Sequence, residues 1–535
     1  VIRRLCVALG ALAMASALPA QVVEQPAGDP VRTDAGLVAG KTLPSGVRTW
    51  LGVPFAAPPV RDLRWRDPQP RAAWTGVWNA DRPAPECIQP LRGRGINHYF
   101  GEEATSEDCL YLNIWAPAAP PPAGKPYPVI AWIYGGGFNV GSASMANYAG
   151  EALAARNVVY VAIAYRVGPL GFLAHPDLTK EGGGGSGNYG LKDQIAALHW
   201  VQRNVAGFGG DPANVTIAGQ SAGSMSVSLL QASPAAKGLF HRVVGMSGSA
   251  LGELMAPTPL AQAEAEGVAL QQAGGAASIA AMRDMPADRL MALAAPVRRR
   301  PIVIDGQVVT EAPEATFAAG RQNDVPAMIG FTKDEYFRSL GPIASVADYE
   351  KAVQAAFPTT AERVLKAYPA RTIEEARRAA RDVERDSTLG LQMAQWATAQ
   401  SAKGKAATYS YFFTRTHPYR PGVTFADHDP ANVGAYHTAD VPYWLGTLDS
   451  LNLFRTTRDW TAADRTLSTD MMDRLIAFAR DGRPGGDWPA WQAGRPQVHV
   501  FGDSGGMIDW PHIRDLPLLK DAATAAATDR PRIRD

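Results

Sequence analysis

Four stretches of this chain are apolar at nearly every position: residues 129–134, 158–164, 215–218 and 243–246. A strand with one wet face alternates apolar and polar side chains. A strand covered on both faces does not need to. These runs, rich in Val, Ile and aromatic residues, therefore predict a central sheet buried on both sides. Helical text lies between them. In residues 191–201, Leu191, Ile195, Leu198 and Trp200 fall largely on one side of a helix. Residues 259–294 and 347–402 are helical and charged, and read as helical excursions rather than separate domains. Strands are also expected at 37–40 and 49–53, with a Pro-rich surface connection at 117–128. The expected class is α/β, with a mostly parallel central sheet and helices on both faces. A chain of 535 residues is long enough for one large domain of this kind, expected over 21–520.

Charge excludes some partners. The formal net charge is +1 with 19% charged residues, which gives no electrostatic footprint for nucleic acid or an anionic membrane. The basic run Arg298-Arg299-Arg300 reads as a solvated face.

The N-terminus reads separately. Arg3 and Arg4 precede an apolar run over residues 5–18, followed by small residues at Ala15-Ser16-Ala17 and Ala20. That is the layout of a secretory signal over 1–20, cleaved after Ala17 or Ala20. The run is shorter than the ~20 residues needed to span a bilayer, and no other segment is a candidate span. A periplasmic or secreted protein is expected. Cys6 leaves with the signal, so Cys87 and Cys109 remain as an even pair, expected to form a disulfide. Residues 521–535 read as a poorly ordered tail.

The chemistry is carried by Gly219-Gln220-Ser221-Ala222-Gly223, which follows the apolar run at 215–218 and opens a helical stretch. It matches the nucleophile elbow G-x-S-x-G. The serine must sit on a sharp strand-to-helix turn, and its neighbours must be small because the backbone folds back there. The new helix turns its N-terminal N–H groups toward a developing oxyanion. Gly502-Asp503-Ser504-Gly505-Gly506 also matches, but no helix follows it and too little chain remains for an acid and a histidine. The glycine-rich stretch 182–190 contains G-x-G-x-x-G without a preceding strand, so it does not read as a dinucleotide site. No H-E-x-x-H or ligand cluster for a metal is present, and no cofactor is expected.

Longer patterns narrow the reading. Phe208-Gly209-Gly210 through Val215, Ile217 and Gly219 to Ser221-Ala222-Gly223 forms one. Glu107-Asp108-Cys109-Leu110-Tyr111-Leu112-Asn113-Ile114-Trp115 forms the other. On these the chain resembles the type-B carboxylesterases, an α/β-hydrolase family that includes the cholinesterases. The resemblance runs along most of the chain and implies an α/β-hydrolase fold and a serine ester hydrolase. It implies Ser221 as nucleophile, and His437 in Gly434-Ala435-Tyr436-His437-Thr438-Ala439-Asp440 as its base. Of nine histidines, His437 alone has that local pattern. For the acid, the family-like loop is 329–335, and the resemblance implies Glu335. Tyr336 follows where the family commonly has glycine, so a shifted register with Asp334 as the partner stays open. Gly135-Gly136-Gly137 after an apolar strand is the family-like oxyanion loop, implying the N–H groups of Gly136, Gly137 and Ala222.

Two departures bear on the substrate. The loop from Cys87 to Cys109 has no tryptophan, the residue that holds a quaternary ammonium in cholinesterases by cation–π attraction. Its aromatics are His98, Tyr99 and Phe100. The residue before the nucleophile, usually glutamate in the family, is Gln220. Both lower the attraction for a cation, and neutral small-molecule esters are expected. A non-catalytic binding relative and a lipase are the alternative readings.

Overall fold

The computed structural model describes residues 25–26, 28–90, 95–96, 104–252, 256–295, 302–336 and 339–520. The expected signal at 1–20, the tail at 521–535, the run 298–300 and the aromatics His98, Tyr99 and Phe100 lie outside the described residues.

A 12-stranded mixed sheet organises the fold. Its strands are β1 (Gln25–Pro26), β2 (Lys41–Thr42), β3 (Arg48–Pro54), β4 (Tyr111–Ala116), β5 (Tyr127–Ile133) and β6 (Val159–Ile163). They continue with β7 (Gly210–Gln220), β8 (Arg242–Met246), β9 (Ala327–Thr332), β10 (Thr408–Phe413), β11 (Gln497–Phe501) and β12 (Gly506–Asp509). The spatial order is β1-β2-β3-β4-β6-β5-β7-β8-β9-β10-β11-β12. Every pair from β6 to β11 is parallel, and the flanking pairs are antiparallel. Helices cover both sides. This explains the continuous apolar runs: residues 129–133 and 159–163 are fully buried.

Two strand expectations need correcting. The strand expected at 215–218 starts five residues earlier, at Gly210. Its pairing with β5 jumps from Tyr127↔Gly210 to Val129↔Val215, so residues 211–214 are the irregular part. Asp211 and Pro212 read as loop because Pro212 has no N–H to give to a ladder. The strand at 37–40 forms as Leu37–Ala39, but in a separate three-stranded sheet with Val31–Arg32 and Val77–Asn79.

Two helices matter for the site: α1 (Tyr189–Asn204) and α2 (Ala222–Ala232). α2 is buried along almost its whole length, from Ala222 through Gln231. It has apolar or small residues all round, as a helix packed on several sides must. The excursion at 347–402 is a set of helices, Val346–Ala356, Ala361–Ala367, Ile373–Arg385 and Leu391–Lys403. Trp396 on the last packs against Gly245 of β8 and donates its Nε1–H to Gln231 Oε1 at 2.8 Å. The other excursion holds Leu260–Ala273, Ile279–Arg283 and Ala287–Ala294. Among the described residues no helix is long and apolar enough to cross a membrane. Cys87 and Cys109 are bonded as a disulfide. It closes a loop that is tied down at Ile96, whose N–H is accepted by Asp427 at 2.9 Å and whose carbonyl accepts from Arg458 at 3.1 Å.

Candidate active site

Ser221 stands between the end of β7 and the start of α2. Its backbone is strained, at φ 57° and ψ −122°. A non-glycine residue there needs surroundings that hold it in place. The Ser221 N–H donates to Met246 O at 2.8 Å, and its carbonyl accepts from Met225 N at 2.9 Å. The glycines around it are dictated by packing. A Cβ on Gly219 would lie 2.5 Å from the Gly223 backbone, and one on Gly223 would collide with the Ile133 carbonyl of β5. Close packing against the neighbouring strand is thus why the elbow is bracketed by glycine.

The rejected serine shows the contrast. Ser504 is exposed in a turn between β11 and β12, with no helix after it. The glycine-rich stretch 182–190 follows a short helix, Pro176–Glu181, rather than a strand.

The loop of Gly135, Gly136 and Gly137 leaves the end of β5. Gly136 and Gly137 have φ of 117° and 60°, which glycine alone adopts without cost. Gly135 is needed for another reason. A Cβ there would lie 2.5 Å from Gln220 O and 2.9 Å from Ser221 Cβ. Around Gly137 the space is open, with Asn139 Nδ2 nearest at 3.9 Å. The three amides named from the sequence, at Gly136, Gly137 and Ala222, therefore belong to segments packed directly beside Ser221.

His437 and Glu335 come from loops after β10 and β9. His437 Nε2 lies 2.8 Å from Ser221 Oγ, and Nδ1 lies 2.7 Å from Glu335 Oε2. The Glu335 side chain is fully buried, while that of His437 is 24% exposed. The other Glu335 oxygen accepts from Thr332 N–H at 2.9 Å. This fixes the carboxylate on both sides. Asp334, the alternative from the sequence, faces Ala435 instead, whose N–H its Oδ2 accepts at 2.8 Å. Tyr336, the departure from the family pattern, is 47% exposed and leaves Glu335 pointing inward.

The contacts of three supporting groups were not legible in the sequence. Gln220 donates its Nε2–H to the main-chain carbonyl of His437 at 2.8 Å. Asp440 is fully buried and accepts the Tyr411 O–H at 2.7 Å. Burial pushes its carboxyl up to about 7. Tyr411 fits because Gly330 on β9 has no side chain to meet its ring. His417 is buried under the same loop, with Nε2 2.9 Å from Ala439 O. Burial and the nearby Arg458 hold it down at about 3. It is a packing histidine, the common fate of buried imidazoles. Among the described residues no group of three or more His, Cys, Asp or Glu side chains could hold a metal ion.

Known proteins match this chain along most of its length. The family model described as the carboxylesterase family matches residues 28–505. The fumonisin B1 esterase of Sphingopyxis macrogoltabida is 36% identical over 496 residues, covering 89% of this chain and 86% of that one. The para-nitrobenzyl esterase of Bacillus subtilis (strain 168) is 33% identical, covering 86% and 92%. A solved PNB esterase structure superposes with a TM-score of 0.77 at 31% identity, over 92% of this chain and 99% of that one. The chain belongs to the carboxylesterase family, with its α/β-hydrolase fold, and is a serine ester hydrolase.

Proposed function

We propose that Ser221 is the nucleophile, His437 the general base and acid, and Glu335 the carboxylate that orients it, with the Gly136, Gly137 and Ala222 amides as the oxyanion hole. The observation that carries this reading is the single line of hydrogen bonds from Glu335 through His437 to Ser221, at 2.7 and 2.8 Å. In this mechanism His437 takes the Ser221 proton as Oγ attacks an ester carbonyl. The amides stabilise the charge on the tetrahedral oxygen, and the alcohol leaves with the proton from His437. Water then repeats the sequence on the acyl-enzyme and releases the acid. The substrate is a small neutral ester. The loop between Cys87 and Cys109 has no tryptophan to hold a quaternary ammonium, and Gln220 is uncharged. The relatives above act on esters as unlike as those of fumonisin B1 and para-nitrobenzyl alcohol, so their names do not narrow the acyl group.

The test pairs two serines. Ser221→Ala abolishes turnover of a chromogenic acyl ester and labelling by an organophosphate, whereas Ser504→Ala behaves as wild type. Turnover that survives Ser221→Ala and is lost in Ser504→Ala overturns the reading. Residues 1–20 are proposed to be a secretory signal and residues 21–520 the folded hydrolase domain. The disulfide Cys87–Cys109 supports an oxidising compartment. N-terminal sequencing of the mature protein checks for cleavage after Ala17 or Ala20.

A further inference from the structure

The loop after β5 has little stiffness of its own. Gly136, Gly137, Phe138 and Gly141 all take a positive φ, at 117°, 60°, 62° and 124°. Phe138 has a side chain and is held there against a steric cost. Within the loop, Gly136 O accepts the Asn139 and Val140 N–H groups at 3.0 and 3.1 Å, and Gly137 O accepts Asn139 Nδ2–H at 2.9 Å. These bonds close the turn on itself without fixing where it sits beside Ser221. Its two ends move together, because a Cβ on Gly141 would collide with the Gly135 carbonyl and one on Gly136 with the Val140 carbonyl. From outside, the Gly168 N–H holds Phe138 O at 2.7 Å. Gln89 grips the return end. It is 8% exposed, and its Oε1 accepts the Gly141 N–H at 2.8 Å while Nε2 donates to Gly141 O at 2.9 Å. Nε2 also donates to Cys87 O at 3.0 Å. The carboxamide thus pairs with one residue's backbone in both directions, as a neighbouring strand would, and uses both its hydrogens. Its stem is anchored two residues from Cys87, which is bonded to Cys109 just before β4.

We infer that Gln89 is a positioning residue for ester hydrolysis. Its carboxamide holds Gly141, Gly141 packs on Gly135, and the Gly136 and Gly137 N–H groups between them are thereby set at the distance the tetrahedral oxygen needs. An ionised glutamate there would face two carbonyl oxygens with no hydrogen to give, and a methionine would leave both Gly141 groups unpaired. This deepens the reading of those amides as the oxyanion hole and rests on it.

Gln89→Met keeps the bulk and removes the hydrogen bonds. Two ketones read the site directly. Trifluoromethyl propyl ketone is converted to a tetrahedral adduct: Ser221 Oγ adds to the carbonyl carbon, its proton passes to His437, and the carbonyl oxygen becomes the anion that the amides hold. Methyl propyl ketone binds without adding. In Gln89→Met, kcat/KM for p-nitrophenyl butyrate and affinity for the fluorinated ketone both fall about thirtyfold, and affinity for the methyl ketone does not change. In a Gly137→Ala background, where the amide is already displaced, the same substitution costs less than about threefold. Wild-type values for Gln89→Met overturn the inference. So does an equal loss for both ketones, or an undiminished loss in the Gly137→Ala background, because either marks a general loosening rather than a misplaced amide. If the Met variant does not fold, Gln89→Asn decides in the same assays: it keeps an amide but withdraws it by one methylene, and kcat/KM and adduct affinity fall together. Failure of the oxyanion reading itself is seen separately, as a Gly137→Ala enzyme with wild-type kcat/KM and adduct affinity.

Discussion

Asp334 and Ala435 exchange two hydrogen bonds: the Asp334 N–H donates to Ala435 O at 3.0 Å, and Asp334 Oδ2 accepts from Ala435 N–H at 2.8 Å. This clamp ties the loop that carries Glu335 to the loop that carries His437. It also explains Gly434, where φ is 60° and any Cβ would collide with the Asp334 carboxylate. Two adjacent acids thus have different tasks, one holding the loops and the other holding the imidazole.

That division gives the first prediction. Glu335→Gln leaves one oxygen for two donors, Thr332 N–H and His437 Nδ1–H, so the imidazole loses its fixed tautomer and kcat falls by about 10³–10⁴-fold with little change in KM. Asp334→Asn keeps an oxygen for Ala435 N–H and stays within about tenfold of wild type. Asp334→Ala loses that bond and about 1–2 kcal/mol of stability. Steady-state kinetics on one chromogenic ester, with thermal unfolding alongside, measures all three. If Asp334→Asn is the variant with the large loss in kcat, the two roles are reversed.

Glycines near the nucleophile separate packing from chemistry. Gly223→Ala pushes a methyl into the Ile133 carbonyl of a central strand. Backbone on both sides cannot move aside, so it costs about 3 kcal/mol or more and yields little folded protein. Gly137→Ala meets nothing nearer than 3.9 Å. Its cost is the left-handed backbone, about 1–2 kcal/mol, and it folds. Its kcat falls about a hundredfold as the amide shifts from the tetrahedral oxygen. Denaturant midpoints and kcat distinguish the two; a Gly137→Ala enzyme with wild-type kcat removes that amide from the oxyanion hole.

The parts of this molecule that were legible in the sequence are those enforced by local pattern. Strands buried on both faces show as unbroken apolar runs, and the elbow shows because a strand, a serine between small residues and a helix must be contiguous. What was hidden depends on contacts between distant segments. Gln220 and His437 are 217 residues apart, and Tyr411 reaches Asp440 only because Gly330 on the adjacent strand leaves it room. Neither contact has a local signature. The choice between Asp334 and Glu335 also needed three dimensions, since a one-residue shift of register reverses which carboxylate points inward. Residues 211–214 were missed because a proline marks a break in pairing, while the strand resumes beyond it.

The disulfide gives the third prediction. The bridge Cys87–Cys109 has a sequence separation of 22, and removing it frees the denatured chain of a closed loop. The double variant Cys87→Ser, Cys109→Ser loses about 3 kcal/mol on the loop-entropy model. Wild type treated with a thiol reductant unfolds at the same reduced temperature as the variant. An unchanged midpoint in both would mean that the contacts of Ile96 with Asp427 and Arg458 hold the loop without the bridge.

Two buried groups under the His437 loop give opposite pH dependences. Asp440 is raised from 3.8 to about 7 by burial, so between those values the folded protein binds more protons than the unfolded chain. Its contribution to stability therefore falls as pH rises from about 4 to 7 and is level above. Asp440→Asn keeps an acceptor for Tyr411 O–H and removes this penalty, so its advantage over wild type grows across that window. His417 is lowered from 6.5 to about 3, so the folded protein binds fewer protons there. Its contribution is complete above about 6.5 and is lost as pH falls toward 3. His417→Gln, which does not titrate, therefore closes its gap to wild type as pH falls. Urea unfolding of the three proteins between pH 4 and 8 separates the two slopes. Parallel curves for wild type and Asp440→Asn would show Asp440 ionised in the fold, with its carboxylate a second negative charge behind the triad.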